Sequence, residues 1–409
     1  MPERNTMKKI QELQQVKGDA YDYYIAGNED TDLFEKIFLV DDIVEEICKP
    51  DKYFLIGEKG SGKTAYSVYM SKSDKINSFC SISLVENTLY QRFLNMKRQK
   101  ALELSSFKDV WINLIYLILA EKIRKEYGET FFSSIKYKQL SKAIDVFYSD
   151  AFKPEFVNAF EFVDNASASI NSMMKQGLFS TGTKASAETS QKYVEQSFQI
   201  SLLKIRDGFE KAFMSVNLKK PTILFVDGID ARPRDIDNEQ YFECLVGLVN
   251  AVLEMNQSFL KEKQIKIMLL IRPDIMYKMP VHNMNQKLRN NSVLLNWVTS
   301  YRKYIDSKLF KIADDYFMKQ QDYSYELGEC WNYYFPYKVE YQEKRKAPDN
   351  PFVEFLRYSL YKPRDILTML NEMVDATSGT QFKHSDFEGI LSNYCLLYTS
   401  PSPRDSTSS

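Results

Sequence analysis

Apolar positions along this chain change their period several times, and each change marks an element. Leu33, Ile37, Val40, Ile43 and Ile47 recur at helical spacing and predict one helix over Leu33–Cys48. Tyr53-Phe54-Leu55-Ile56 is a short apolar run that predicts a strand, followed by a glycine-rich loop and a helix from about Lys63 to Met70. Ile76–Leu84 is a second strand candidate. Phe107–Tyr127 carries a long apolar face, ends in Lys and Arg, and should stop at Gly128. Further strands are expected at Thr222–Val226, Ile265–Ile271 and Ser292–Asn296, with a helix near Asn238–Met255 between the first two. Helices resume at about 298–317, and a helical segment fills 318–394. Strands alternating with helices predict an α/β fold with a parallel sheet flanked by helices.

Roughly 140 residues separate the second strand from Asp227, against the ~30 of an ordinary crossover. Residues 129–215 therefore read as a large, mostly helical insertion, with a small polar loop over Gly177–Ser190. The insertion offers a surface for an unknown protein partner, or else adds packing over the sheet. The expected organisation is an N-terminal helical segment (1–50), a core (51–310) and a C-terminal helical lid (311–394). The last residues, 395–409, look foreign. Cys395–Asp405 back-translates to a string resembling the adapter of transposase-based sequencing libraries; the alternative is a disordered Ser/Pro tail. On the first view the lid is truncated and the natural product continues past Tyr394.

Composition narrows the function classes. Net charge is −1, so no whole-surface field for nucleic acid or membrane exists, although a local basic patch remains open. Phe and Tyr, 27 of each, are spread along the chain and read as helix-packing surfaces. Five cysteines without a CxxC pair, and two histidines, make a zinc site or disulfide framework unexpected and suit a reducing cytoplasm. The polar start lacks a signal-peptide apolar region. The longest apolar run, Trp111–Ala120, is about half of the ~20 residues a membrane span needs.

The candidate chemistry begins at Gly57-Glu58-Lys59-Gly60-Ser61-Gly62-Lys63-Thr64, which fits the pattern GxxxxGK[ST]. Glycines let the backbone curl so that main-chain amides between Gly57 and Ala65 face a phosphate. The following helix offers its positive end to the same anion. In this arrangement Lys63 reaches the β- and γ-phosphates and the Thr64 hydroxyl ligates Mg²⁺. The expected ligand is ATP with Mg²⁺. Ile223-Leu-Phe-Val226-Asp227 is an apolar strand ending in a carboxylate, the second expected Mg²⁺ ligand. Many ATPases with such a loop place a glutamate directly after this aspartate; here that position is Gly228. Asp230 is the nearest carboxylate, and either orients the attacking water or caps a turn.

Together, Phe54–Ala65, Val226-Asp-Gly-Ile-Asp230 and Leu270-Ile-Arg-Pro-Asp274 resemble bacterial P-loop ATPases of the AAA+/STAND division. The Asp-Gly-Ile-Asp element is similar to the NACHT-type Walker B, but Ala231 stands where that type usually has glutamate. The resemblance implies that Arg272 senses the γ-phosphate and that Arg364 of the lid contacts nucleotide. The plainer alternatives are a salt-bridged Arg272 and an exposed helix start at Arg364. An arginine suits either place, because its planar fork holds phosphate oxygens with two bonds.

By analogy the resemblance also implies a cytoplasmic, slowly hydrolysing switch in bacterial signalling or phage defence, and admits a homo-oligomer. Two other functions compete. One is a DNA-associated, initiator-like ATPase, which leaves nucleic acid binding open. The other, motivated by Gly228, is a non-catalytic nucleotide-binding interaction module.

Overall fold

The computed structural model describes residues 7–25, 32–85, 107–132, 137–150, 202–229, 238–279, 288–339 and 349–399. Five strands form one sheet: β1 (Phe54–Ile56), β2 (Phe79–Leu84), β3 (Thr222–Asp227), β4 (Ile265–Ile271) and β5 (Ser292–Leu294). Their order is β2-β3-β4-β1-β5, and every pairing is parallel. The expected parallel α/β sheet flanked by helices is therefore present.

Parallel strands covered on both faces read as continuous apolar runs, and β3 and β4 show why. Ile265, Ile267, Leu269 and Ile271 of β4, with Leu224 and Val226 of β3, point into one core. Met268 and Leu270, with Ile223 and Phe225, point into the other. Burying each such side chain stabilises the fold by about 1.5–3 kcal/mol. The first face is covered by α5 (Phe107–Phe132) and α8 (Asn238–Gln257), joined by a bond from the Trp111 indole to the Cys244 carbonyl at 3.1 Å. Gly128 leaves the helical region (φ 75, ψ 168) and breaks α5 where its sequence predicts.

Two described parts of the insertion, α6 (Lys138–Asp150) and α7 (residues 202–215), pack into the same core through Leu140, Ile144, Phe147, Ile205 and Phe209. Arg206 of α7 pairs with Glu254 of α8 at 2.7 Å. The described flanks of the insertion thus supply packing. The Gly177–Ser190 loop lies outside the described residues.

The opposite face carries α1 (Tyr21–Ile25), α3 (Asp42–Cys48) and α4 (Lys63–Lys72). Here one expectation fails. The helix read over Leu33–Cys48 is two helices, α2 (Asp32–Ile37) and α3, separated at Asp41. Asp41 has an extended backbone and accepts the Ile43 amide at 3.1 Å, the N-cap geometry that competes with helix continuation. Its carboxylate also meets the Tyr66 hydroxyl at 3.0 Å and Lys308 at 2.7 Å. Val40, expected on the apolar face, is 54% exposed.

A third core belongs to a helical unit of α10 (Lys308–Met318), α11 (Glu329–Tyr334), α12 (Phe352–Ser359), α13 (Pro363–Ala376) and α14 (His384–Thr399). Trp331, Phe310, Phe317, Phe335 and Phe352 form its aromatic centre. Ile10, Leu13 and Val16 from the start of the chain are buried in this core, not over the sheet. Among the described residues, no helix is long and apolar enough to cross a membrane.

Candidate functional site

All carboxyl ends of the strands lie along one edge, because every pairing is parallel. From β1 the chain turns into α4, whose Tyr66, Val68 and Tyr69 pack on one face of the sheet. From β4 it turns into α9 (Pro273–Lys278), whose Ile275 and Met276 pack on the other. Neighbouring strands that send the chain to opposite faces leave a crevice between their carboxyl ends.

The loop Gly57–Thr64 lines this crevice. The Gly57 amide continues the ladder to the Ile271 carbonyl at 3.2 Å, and the Ser61 amide turns back to the Glu58 carbonyl at 3.1 Å. Gly60 (φ 84) and Gly62 (φ 94) both stand in the left-handed region, which side-chain-bearing residues rarely adopt. Alternation of this kind curls the backbone into a concavity for anions. Gly62 is the N-cap of α4 without a side-chain bond, so main-chain amides alone serve the start of the helix. Lys63 is 7% exposed and donates to the carbonyls of Gly57 at 2.8 Å and Glu58 at 3.2 Å. The ammonium is thus held by the loop it would serve. Ala65 packs on the sheet behind the loop, and the Glu58 side chain points into solvent.

Thr64 and Asp227 meet. The Thr64 hydroxyl donates to Asp227 Oδ2 at 2.6 Å. Asp227 is 5% exposed, and its other oxygen accepts the Gly228 amide at 2.7 Å. A hydroxyl and a carboxylate at this separation are the two protein oxygens that could flank a small hard cation. Among the described residues, no group of three or more His, Cys, Asp or Glu could hold a metal. Any ion here would complete its shell with oxygens of a ligand and of water, the habit of Mg²⁺. The residues present fit that group.

Gly228 has a structural cause. Its φ is +85, and a Cβ there would lie 2.9 Å from the Val85 carbonyl oxygen. The pairing of β2 with β3 continues past the strands, since the Val85 amide donates to the Asp227 carbonyl at 2.8 Å. A side chain after Asp227 would therefore strain the backbone and force the Val85 peptide to shift. Asp230 lies outside the described residues.

The two arginines differ. Arg272 ends β4 beside the loop, and its guanidinium binds the Asp274 carboxylate with two bonds, at 2.9 and 2.8 Å. Arg364 comes to the loop from α13. Its amide donates to the Gly60 carbonyl at 3.3 Å, and its guanidinium atoms lie 3.1–3.3 Å from where a Gly60 Cβ would stand. Nε of Arg364 also faces Asp365 at 3.3 Å. Nearby, Lys362 Nζ is 3.9 Å from Glu58 Oε2.

Trp297 is a loop contact that motif reading passes over. It lies just beyond β5, and its indole donates to the Ser61 carbonyl at 2.8 Å. The signal available was slight: a tryptophan beyond the carboxyl end of a short strand.

Comparison of the chain with protein-family models, with curated proteins and with solved structures gives no match.

Proposed function

We propose that this chain is a P-loop ATPase-like switch that binds ATP with Mg²⁺ in the crevice at Gly57–Thr64. The observation that carries the proposal is the 2.6 Å contact between Thr64 and Asp227 beside a loop with two left-handed glycines. When bound, Mg²⁺ would supply electrostatic stabilisation of the charge that develops on the transferred phosphoryl oxygens. Thr64 and Asp227 would hold that ion. Lys63 would release the carbonyls of Gly57 and Glu58 and turn to the phosphates. Main-chain amides from Gly57 to Ala65 would donate to the phosphate oxygens without reorganisation. Arg364, already against Gly60, would tie the helical lid to the filled loop, and Arg272 would leave Asp274 to read the γ-phosphate.

A second possibility, a nucleotide-binding module that does not hydrolyse, is favoured by one observation. Gly228 has no carboxylate, so the residue that usually orients water is absent from its usual place. Asp230 is the candidate replacement. Slow turnover suits a signalling or defence switch in the cytoplasm. Partners through the insertion, self-association and DNA binding are separate proposals that salt-dependent binding and mass measurements on the full chain would sort.

The deciding experiment measures ATP binding and phosphate release for the unmutated chain, Lys63→Ala and Asp230→Asn. Binding that Lys63→Ala weakens, with turnover that Asp230→Asn removes, supports the switch. Binding without turnover in the unmutated chain supports the module. No ATP binding by the unmutated chain overturns both.

A further inference from the structure

Trp297 sits in the link between β5 and the 3-10 segment Tyr301–Asp306, which leads into the helical unit. Its partly buried ring packs against two cores, that of the helical unit and that of the sheet face covered by α4. At the same time its indole N–H holds the Ser61 carbonyl at 2.8 Å.

That carbonyl and the Gly62 amide belong to one peptide unit, and no peptide bond among the described residues is cis. In a trans peptide the C=O and N–H point in opposite directions. Anchoring the carbonyl therefore fixes the Gly62 N–H on the side away from the indole. The constraint matters because Gly60 and Gly62 flank Ser61, and glycine backbones turn easily. Ser61 has no other tether from its side chain: its Oγ is buried and, among the described residues, without a hydrogen-bond partner. Gly62 opens α4, where main-chain amides collect the positive end of the helix.

We infer that Trp297 is a positioning residue of the loop: it presets the Gly62 amide for a phosphate oxygen and carries the state of that peptide to the helical unit. The inference rests on the nucleotide assignment above. Beside the direct contact of Arg364 with Gly60, it assigns a second route from a filled loop to the helical unit, through the link to α10: phosphate on Gly62 N–H strengthens the hold on the 61–62 peptide, the indole follows the carbonyl, and its ring moves against both cores together. Were the tryptophan only a packing residue, its replacement by another ring of similar shape would leave nucleotide affinity and the response of the helical unit unchanged.

The test uses the full chain with Mg²⁺-ATP. Trp297→Phe keeps a ring and removes the donor. The expected result is an ATP affinity weakened about fivefold, the worth of one ordinary hydrogen bond. In the unmutated chain, amide exchange within α10, which does not touch the loop through Arg364, slows on saturation with nucleotide; in Trp297→Phe at saturation it does not. A variant matching the unmutated chain in both readouts overturns the inference and leaves the ATPase assignment intact. Unchanged α10 exchange in the unmutated chain at saturation does the same. An unmutated chain that binds no ATP overturns both.

Should Trp297→Phe fail to fold, isotope-labelled indoles in the unmutated chain decide. Trp111 and Trp331 donate to the Cys244 carbonyl and to Asn350 Oδ1, far from the loop in sequence. Their signals should stay while the third moves with nucleotide; three unmoved signals would overturn the inference.

Discussion

Thr64 and Asp227 are 163 positions apart in the chain, yet the hydroxyl of one rests 2.6 Å from a carboxylate oxygen of the other. The contact joins the first turn of α4 to the end of β3 across the carboxyl edge of β4. Asp227→Asn should leave ATP binding in chelator nearly unchanged and abolish the gain that Mg²⁺ brings. Lys63→Ala should weaken binding about 10–100-fold in either condition, the loss of charge-assisted bonds. Titration calorimetry with and without Mg²⁺ separates the two. Equal loss of the Mg²⁺ effect in both variants would contradict the division of roles.

Gly228→Glu would place a carboxylate at the position where many P-loop ATPases carry one. The left-handed φ of +85 and the Val85 carbonyl at 2.9 Å oppose it. The expected outcome is a loss of stability on the order of 1–3 kcal/mol, from strained backbone, and no faster phosphate release. Denaturant unfolding and a phosphate assay check both halves. A stable variant with faster turnover would show that the position is open.

Asp274 holds Arg272 with two bonds at 2.9 and 2.8 Å. If Arg272 reads a γ-phosphate, this pair competes with it. Asp274→Ala should then tighten ATP binding about three- to tenfold while leaving ADP binding unchanged, within the range of charge-assisted bonds. Equal effects on ATP and ADP would mark the arginine as structural only.

Lys266 lies at the opposite end of β4, 7% exposed, with its ammonium on the carbonyls of Ile47 and Lys49 at the end of α3. Burial lowers its pKa from 10.5 to about 8, against the pull of Cys48, Cys80 and Asp51. The folded value is below the unfolded one, so between these limits the unfolded chain holds more protons. Stability from this group therefore rises with pH from about 8 to 10.5, and the deficit is complete below about 8. The unfolding free energy of the unmutated chain relative to Lys266→Met should rise by about 2 kcal/mol between about pH 7.5 and about 9.5. A flat difference would mean that the two carbonyls retain the charge at no cost.

The sheet and the loop were legible because their causes are local. β4 coincides with Ile265–Ile271, a run buried at all seven positions, and α4 starts at Lys63 where the glycine-rich pattern ends. Gly128 stopped a helix for a reason written in its missing side chain. What was not legible depends on distant partners. The break at Asp41 depends on Tyr66 and Lys308 as well as on its own cap. The constraint on Gly228 comes from Val85, on a strand paired only in three dimensions. Likewise Trp297 meets Ser61, which periodicity cannot connect to it. Of the site itself, the structure brings the loop, Asp227 and Arg364 together and pairs Arg272 with Asp274.

Helix α2 divides its faces: Leu33 and Ile37 go to the helical unit, Phe34 to the sheet side, while Ile10, Leu13 and Val16 are sealed among α10–α14. The protein is thus laced, with its opening residues stitched into its closing helices. A fragment cut near residue 308 to liberate the C-terminal half would expose the sockets those residues fill, and would stick to itself in solution. Biochemists who want that half alone must carry the first forty residues with it as a separate peptide.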